Sequence, residues 1–271
     1  MLCHKIDFAL IISVDNANPN GDPATGNRPR ENFEGYGEIS DVCIKRKIRN
    51  RLQDMGCEIL LKTSERCDDG FANTNKRIKG QSTLEKLKND AEGYIKEACR
   101  MWCDVRFFGQ VFPNKSSIAI PIRGPVSIQF ARSIAPIAVE ERTLVNMAPT
   151  LDNYAPYEKT KGSFVKKYTT SGIYVTYGSI SCQLAEKTGF SDEDAEILKE
   201  ALKTLFDNDA SSARPAGSMV VEHLFWWEHN SRIGQYPSHK VYRSIQVEPI
   251  EEHPYYKLTH TPLEGLTPEI Y

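Results

Sequence analysis

The chain has 271 residues, of which 40% are hydrophobic and 26% are charged. This composition supports a sizeable core and excludes a fully disordered chain, and the length suggests one or two domains. The formal net charge of −2 excludes a uniformly basic nucleic-acid coat. Residues 1–184 carry 26 basic and 21 acidic side chains, whereas residues 185–271 carry 8 and 15. This asymmetry suits either a basic face with an acidic rear or head-to-tail contact between copies, and an acidic helix with an acidic tail would also account for it.

Cysteine usage and the amino terminus indicate the compartment. The seven cysteines are odd in number and scattered along the chain, unlike the framework of a small disulfide-bonded protein. Asp7 stands where a signal peptide needs apolar residues, and no run approaches the ~20 apolar residues of a membrane span. We therefore expect a soluble, cytoplasmic protein with no membrane partner.

The amino-terminal region predicts a strand, a long loop and a basic helix. Apolar side chains alternate strictly from Ile6 to Val14, which predicts a strand with one apolar face. Residues 15–37 are rich in Asn, Gly and Pro, so the loop that follows is either mobile or functional. A helix begins near Ser40, a good N-cap, and residues 43–51 contain five bases and no acid. These bases form either a polyanion-binding surface or a solvated helix face.

Further helices, short strands and a projecting flap are predicted along the rest of the chain. Ser82 caps a second helix whose apolar stripe continues to Trp102. Residues 140–172 are turn-rich and carry four lysines, which fits a hairpin or flap. Strands are predicted at 105–112, 118–122, 126–130, 173–184, 219–227 and 240–247, a third helix from Ser191, and a loosely packed tail over 249–271. The order of these elements indicates an α+β chain with a split-βαβ character.

Motifs for catalysis are weak in this sequence. Gly21 and Gly26 have the spacing of a P-loop but lack its Lys and Ser/Thr, and no two histidines stand at i, i+3 or i, i+4. Asp15 and Asp22 flank the first loop and could hold a metal ion for phosphodiester cleavage, although Asp beside Asn-Pro-Asn-Gly is typical of turns. We expect no catalytic residue, no metal site and no cofactor.

A polar Asn/Gly loop, a basic helix and a Lys-rich flap together indicate nucleic-acid binding. Lys and Arg supply phosphate contacts that do not depend on sequence, and Asn side chains and Gly N–H groups can bond phosphates or sugar hydroxyls. This pattern favours tracking of a single-stranded backbone over base readout. The residues alone therefore predict an RNA-binding α+β protein.

Several motifs stand in a fixed order along the chain. They are VDNANPNGDP at 14–23, GNRPR at 26–30, DVCIKRKIR at 41–49, DVRFFGQV at 104–111 and RGPV at 123–126. Together they closely resemble one family, the repeated backbone subunit of type I CRISPR surveillance complexes (Cascade). FARSI at 130–134 and LAEKTGF at 184–190 look specifically like subtype I-C. The resemblance covers roughly residues 5–248.

The resemblance implies an α+β fold with an RRM-like (ferredoxin-like) palm, a helical fingers insertion and a β-hairpin thumb. The implied parts are 1–54 for the first part of the palm, 55–103 for the fingers-like insertion, 104–140 for the middle palm, 141–172 for the thumb hairpin, 173–248 for the last part of the palm, and 249–271 for an acidic tail. An open head-to-tail interface between such subunits would generate a helical filament.

The function that the resemblance implies is that of a scaffold. Several copies would assemble head-to-tail along one CRISPR RNA (crRNA), hold its spacer regardless of sequence, and present it for pairing with target DNA in antiviral defence, beside other Cascade subunits. Such a subunit should contact phosphates and leave base edges to pairing. By this resemblance, RNA contact is expected at Asn18, Asn20, Lys45, Arg46, Arg49, Arg132, Ser133, Arg142 and Met147.

Three alternatives stay open. The type III backbone relatives share this fold and cleave RNA through a loop Asp, so Asp15 or Asp22 would serve a metal-dependent endoribonuclease. A sequence-specific CRISPR endoribonuclease would need a His-based site, which is not visible in the sequence. A structural protein without RNA would require the basic helix to be a solvated face.

Overall fold

A computed structural model describes residues 1–112, 119–146 and 163–271. Its strands are β1 (Ile6–Ala17), β2 (Gly21–Asp22), β3 (Arg28–Pro29), β4 (Tyr36–Ile39), β5 (Gly109–Phe112), β6 (Ile120–Arg123), β7 (Val126–Ile128), β8 (Ala131–Pro136), β9 (Glu140–Asn146), β10 (Ser163–Ile180), β11 (Met219–Glu228), β12 (Ile245–Pro249), β13 (Tyr256–His260) and β14 (Glu269–Ile270). Its helices are α1 (Asp41–Asp54), α2 (Thr74–Lys79), α3 (Ser82–Lys86), α4 (Ala91–Met101), α5 (Cys103–Phe108), α6 (Cys182–Thr188), α7 (Asp192–Lys203) and α8 (Ser238–Tyr242). None of the helices in these three ranges is long and apolar enough to cross a membrane.

A large antiparallel sheet organises the fold. Its strand order is β14-β11-β1-β10-β8-β4, and β7 and β9 also pair with β10. The predicted first strand is confirmed as β1, which lies between β10 and β11 and pairs with both over most of its length. The chain is thus a mixed α/β protein built on this sheet.

The alternation within β1 decides which side chains face the helices. Phe8, Leu10 and Ile12 are fully buried in a cluster with side chains of α1, α6 and α7. The predicted basic helix is confirmed as α1. The Ser40 hydroxyl caps this helix by accepting the N–H of Cys43 at 3.2 Å. These helices cover one face of the sheet.

The opposite face of the sheet is covered by the carboxyl-terminal region. Phe225 and Trp227 on this face pack with Val241 of α8, Tyr256 of β13 and Leu266. The β12–β13 pair has a continuous antiparallel register, and β14 adds a strand beside β11. The prediction of a loosely packed tail over 249–271 was therefore wrong, because apolar residues of this segment pack against the sheet.

The helical insertion between α1 and β5 has a core of its own. Leu84, Tyr94 and Trp102 are buried there, together with Phe112 and Ile122 of the β5–β6 pair. The predicted helix from Ser82 to Trp102 is divided into α3 and α4, because the Asp90 side chain accepts the N–H of Gly93 and starts a new helix.

Two predicted strands contain helices instead. Over 105–112 only the second half is extended, because Val105 and Phe107 of α5 are buried in two different clusters on opposite sides of the helix. A helix satisfies this i, i+2 apolar spacing as well as a strand does when both of its sides are covered. Over 240–247 the chain first completes α8, which buries Val241 against the sheet, and only then enters β12.

Candidate nucleic-acid interface

The loop after β1 is an ordered structure rather than an open connection. Strands β2 and β3 pair within it, and Asp22 caps a short 3₁₀ turn by accepting the N–H of Ala24 at 3.1 Å. Asp22 also forms an ion pair with Arg30 at 3.2 Å. Gly21 has no room for a side chain, since a Cβ would lie 2.2 Å from Asn27 Oδ1. The Asn/Gly composition therefore serves a tight hairpin.

The asparagines that the resemblance assigns to RNA hold this hairpin in place. Asn18 is 3% exposed and donates from Nδ2 to the carbonyl of Asn27 at 2.7 Å. The Oδ1 atom of Asn20 accepts the N–H of Ser40 at 2.9 Å, which ties the loop to the start of α1. Both side chains thus have structural partners, and their assignment to RNA stays a prediction.

Two arginines of α1 point into the protein. Arg49 is 8% exposed, and its Nε donates to Oδ2 of Asp104 at 3.0 Å. The Asp104 carboxylate also accepts the N–H groups of Leu60 and Leu61 at 2.7 and 3.1 Å. Arg46 donates from Nη1 to the carbonyl of Leu61 at 2.5 Å, and burial together with the charge of Arg49 lowers the pKa of Arg46. These arginines fasten the insertion to α1.

The remaining bases on the first half of α1 also have acidic partners. Lys45 pairs with Asp41 one turn earlier at 2.9 Å. Lys47 is 4% exposed and pairs with Asp209, which also binds Arg214 at 3.1 Å. Burial lowers the pKa of Lys47, and the charge of Asp209 acts against this effect. The sequence pattern does not single out Lys47 among the bases, because its partner lies 162 residues away.

The residues predicted on β8 have contrasting environments. The Ser133 side chain is buried, accepts the N–H of Gly37 at 2.8 Å and donates to the carbonyl of Ala135 at 2.6 Å. The neighbouring Arg132 side chain points to the other face of the sheet, where it is 60% exposed and pairs with Glu38 at 3.2 Å. Only Arg132 of this pair presents its charge to solvent.

Exposed and half-buried bases gather on the paired arms of β9 and β10. Arg142 lies directly opposite Lys167 in the antiparallel register, and its side chain is 52% exposed. Lys166 is also exposed and pairs with Glu141 at 2.5 Å. Arg28 of β3 lies over the ring of Tyr168 on β10, with its guanidinium carbon 5.5 Å from the ring centroid.

We call Arg28, Arg142, Lys166 and Lys167 the cationic hairpin surface, which has two faces. Side chains alternate along a strand, so Arg142 and Lys167 lie on one face, and Lys166, with Arg28 over Tyr168, lies on the other. Of these residues, the resemblance assigned only Arg142 to RNA, although Arg28 lies within the GNRPR motif. Met147, also assigned to RNA, lies outside the described residues. Of the bases on α1, Lys47 and Arg49 are buried, whereas Lys45 is partly exposed in its pair with Asp41.

The two loop aspartates have partners of their own. Asp15 accepts the Ser171 hydroxyl at 3.1 Å, and Asp22 is committed to the 3₁₀ turn and to Arg30, as described above. Within the described ranges, no three His, Cys, Asp or Glu side chains are grouped to hold a metal ion.

The cationic hairpin surface suits contact with a polyanion. Lys and Arg side chains bind phosphates without reading bases, and the ring of Tyr168 holds Arg28 by a cation–π contact. Glu140 and Glu141 temper the positive charge by pairing with Arg142 and Lys166. The arrangement can bind a phosphate backbone along the hairpin.

The family model and a curated relative similar to this chain indicate one class, the CRISPR-associated proteins. A relative described as CRISPR-associated protein Cas7, from Haloferax volcanii, is 26% identical over 233 residues, which cover 79% of this chain and 67% of the relative. A chain of a solved "CRISPR RNA-guided surveillance complex, pre-nicking" has a TM-score of 0.52 at 13% identity, covering 82% of this chain and 78% of that one. A chain of a second "CRISPR RNA-guided surveillance complex" has a TM-score of 0.46 at 14% identity, covering 82% and 68%.

The family follows from a match that spans nearly the whole chain. The family model of CRISPR-associated protein Cas7 matches residues 4–261. The chain therefore belongs to the Cas7 family. The first of the two solved structures supports the same fold, a mixed α/β arrangement with a large antiparallel sheet.

Proposed function

We propose that this chain is the backbone subunit of a CRISPR RNA-guided surveillance complex, of subtype I-C, acting in cytoplasmic antiviral defence. Membership of the Cas7 family over residues 4–261 carries the proposal, and a solved structure similar to the chain is described as a CRISPR RNA-guided surveillance complex. In this role, copies of the chain bind crRNA head-to-tail beside other Cascade subunits, and the crRNA pairs with target DNA.

The architecture proposed for this role is an RRM-like palm with fingers and a thumb. The strand order β11-β1-β10-β8, with α1, α6 and α7 all on one face of the sheet, is compatible with a split-βαβ palm. The separately packed helical insertion supports the fingers over 55–103, and the paired arms of β9 and β10 support a thumb over 141–172. The tail over 249–271 belongs with the palm, whose open face it covers.

The proposed binding mode is contact with phosphates at the cationic hairpin surface. Arg142 and Lys167 present adjacent positive charges on the hairpin, and the sheet face opposite the helices has no room for stacked bases because α8, β12 and β13 occupy it. Binding should therefore depend on the length of the RNA and on salt, but little on its sequence.

The subunit acts as a binding protein rather than an enzyme in this proposal. The metal-dependent endoribonuclease is not favoured, since both loop aspartates already bond to protein partners.

Stoichiometry tests the proposal. Purified protein is titrated with single-stranded RNAs of increasing length and unrelated sequence, with and without Mg²⁺, and the mass of each complex is measured. One additional copy per fixed increment of length, with intact RNA, supports the scaffold. A single copy at every length, or cleaved RNA, contradicts it.

A further inference from the structure

Phe33 is a fully exposed aromatic side chain on an ordered loop between β3 and β4. The Asn32 side chain accepts the N–H groups of Glu34 and Tyr36 at 3.0 and 2.9 Å, and Gly35 adopts a φ of +80° that closes the turn. The carbonyl of Gly35 accepts the N–H of Ile137 at 2.9 Å, which braces the loop against the end of β8. The protein thus holds a large apolar side chain in solvent with little freedom in its backbone.

A groove of about 460 Å³ lies between α4, β6 and α6. Its apolar lining comes from Ile95, Pro121, Ile122 and Leu184, one or two from each element. Cavities of ~300–1,000 Å³ hold drug-sized ligands, so this groove has ample room for a benzyl side chain.

The Phe33 loop and the groove lie at opposite ends of the sheet. Tyr36 of β4 pairs with Pro136 of β8. Ser133, earlier on β8, pairs with Tyr174 of β10. The loop before Tyr36 is therefore near the level of Gly172 on β10. The groove adjoins α6 and the end of β6, and β7, which follows β6 directly, pairs its Val126 with Ile180 of β10. Eight residues of β10 separate these levels, about 26 Å at ~3.3 Å per residue. Phe33 therefore cannot reach the groove of its own chain.

The charges around the two features are complementary. Glu31 and Glu34 flank Phe33, are exposed, and take part in no ion pair among the described residues. At the groove, the exposed bases Arg123 and Lys187 stand beside two carboxylates that already have partners: Glu186 is bound by Arg232, and Glu92 by Lys96. An acidic loop with an apolar tip thus matches a basic groove with an apolar lining.

We propose that Phe33 of one copy inserts into the groove between α4, β6 and α6 of the next copy. The inference rests on the proposed head-to-tail assembly and names the two surfaces that make it. Because the surfaces differ and lie at opposite ends of the sheet, the contact is heterologous, and each copy keeps one free surface to which a further copy can bind. Aromatic anchors that fill a pocket commonly dominate the energetics of an interface. The glutamates beside Phe33 repel phosphates, which favours a protein partner over RNA.

Substitution of the anchor tests the proposal. Binding of wild type and Phe33→Ala is compared on an RNA long enough for several copies and on one that holds a single copy. We expect Phe33→Ala to weaken loading of the second and later copies about thirtyfold, as for an interfacial hot spot, and to leave binding to the short RNA unchanged. Ile250→Ala, at another exposed apolar side chain, is the control and should load as wild type.

Each other result overturns the proposal in a distinguishable way. Equal weakening on both RNAs would place Phe33 on RNA, and unchanged loading on both would exclude it from the contact between copies. If wild type itself loads only one copy on the long RNA, the head-to-tail assembly fails together with this inference.

Cross-linking locates the partner of Phe33 directly. The side chain is replaced by the photoreactive p-benzoylphenylalanine, and this protein is mixed on long RNA with isotopically heavy wild-type chains. After irradiation, mass spectrometry should find bonds to heavy peptides that contain Ile95, Ile122 or Leu184. Bonds to RNA, bonds to other peptides, or no bonds in assembled particles would contradict the proposed groove.

Discussion

Arg49 and Asp104 form a buried ion pair that joins α1 to α5, with Nε and Oδ2 3.0 Å apart. Their side chains are 10% and 1% exposed. The Asp104 carboxylate also holds the backbone of Leu60 and Leu61. The pair therefore fixes where the helical insertion leaves and rejoins the body of the protein.

Removing Arg49 should destabilise the fold strongly. Arg49→Ala leaves the carboxylate of Asp104 buried without its charged partner, which typically costs about 3–5 kcal/mol. Lys45→Ala on the same helix breaks only a partly exposed pair with Asp41, worth about 0.3–0.5 kcal/mol. Urea unfolding of the two variants measures the difference. A similar small loss for both would show that Arg49 is not part of the support of the insertion.

Removing charge from the cationic hairpin surface should weaken RNA binding uniformly. Arg142→Ala together with Lys167→Ala should lower affinity for unrelated single-stranded RNAs alike, and should reduce the slope of log K against log salt by about 0.7 for each phosphate that is no longer neutralised. Titrations at several salt concentrations measure both. Lys257→Ala, at an exposed base on β13, is the control. A loss confined to one RNA sequence would contradict backbone contact.

Asp7 should make stability depend on pH in the acid range. Its buried carboxylate bonds to His229 Nε2 and Lys5 Nζ, each at 2.9 Å. Burial raises the pKa of Asp7, but the hydrogen bonds from His229 and Lys5 outweigh it, so the net pKa lies below the ordinary 3.8. A carboxyl whose pKa is lowered by folding stabilises the fold at pH values above its pKa in the unfolded chain. This stabilisation is lost as the pH falls from about 3.8 through the pKa in the folded protein.

The variant Asp7→Asn tests this dependence. It should be less stable than wild type at pH 7 by about 3 kcal/mol or more, since the partly buried Lys5 loses its anion. The difference in urea midpoint should shrink as the pH is lowered through 4 towards 2. A difference that is constant with pH would mean that the charge of Asp7 does not contribute.

Cys57 should be more reactive than its neighbour Cys103. The hydrogen bond from Cys103 lowers the pKa of Cys57, whereas the same bond and burial raise the pKa of Cys103. Because the thiolate is the nucleophile, iodoacetamide should label Cys57 at lower pH than Cys103. Mass spectrometry of native protein labelled between pH 6 and 9 measures both. Cys103→Ala should shift labelling of Cys57 to higher pH, and an unchanged profile would argue against the thiol pair.

Leu266 should contribute to global stability although it lies near the carboxyl terminus. It is 2% exposed and packs in the cluster with Phe225 and Trp227. Leu266→Ala should cost about 2–5 kcal/mol, as for other buried Leu→Ala changes. Thermal or urea unfolding measures this cost, with Tyr271→Ala at the exposed end of the chain as the control. A cost near zero would mean that the tail is dispensable.

The elements with strong local signals could be predicted from the sequence, and those with two interpretations could not. Strict alternation in β1 and the Ser40 cap of α1 indicate their structures without reference to other parts of the chain. Val105 and Phe107 also alternate, but they belong to a short helix between two cores. A short apolar run cannot distinguish these cases, because the distinction lies in what packs against it.

The candidate site was harder to predict because charge alone does not show direction. Arg49 and Lys47 belong to an acid-free run, yet their acidic partners lie 55 and 162 residues away. Conversely, Arg28 stands between turn residues and becomes part of the hairpin surface only through its contact with Tyr168. Such pairings depend on tertiary structure, which spacing along the chain does not encode.

The covered sheet limits where a designer can alter this protein. With helices on one face and α8, β12 and β13 on the other, substitutions on the inward positions of either face disturb a core. New recognition properties can be introduced only at the margins: the arms of β9 and β10, the loop that carries Phe33, and the outer surface of the helical insertion. The central sheet thus has to stay unchanged as the support of the fold, and the positions that tolerate redesign lie around its edges.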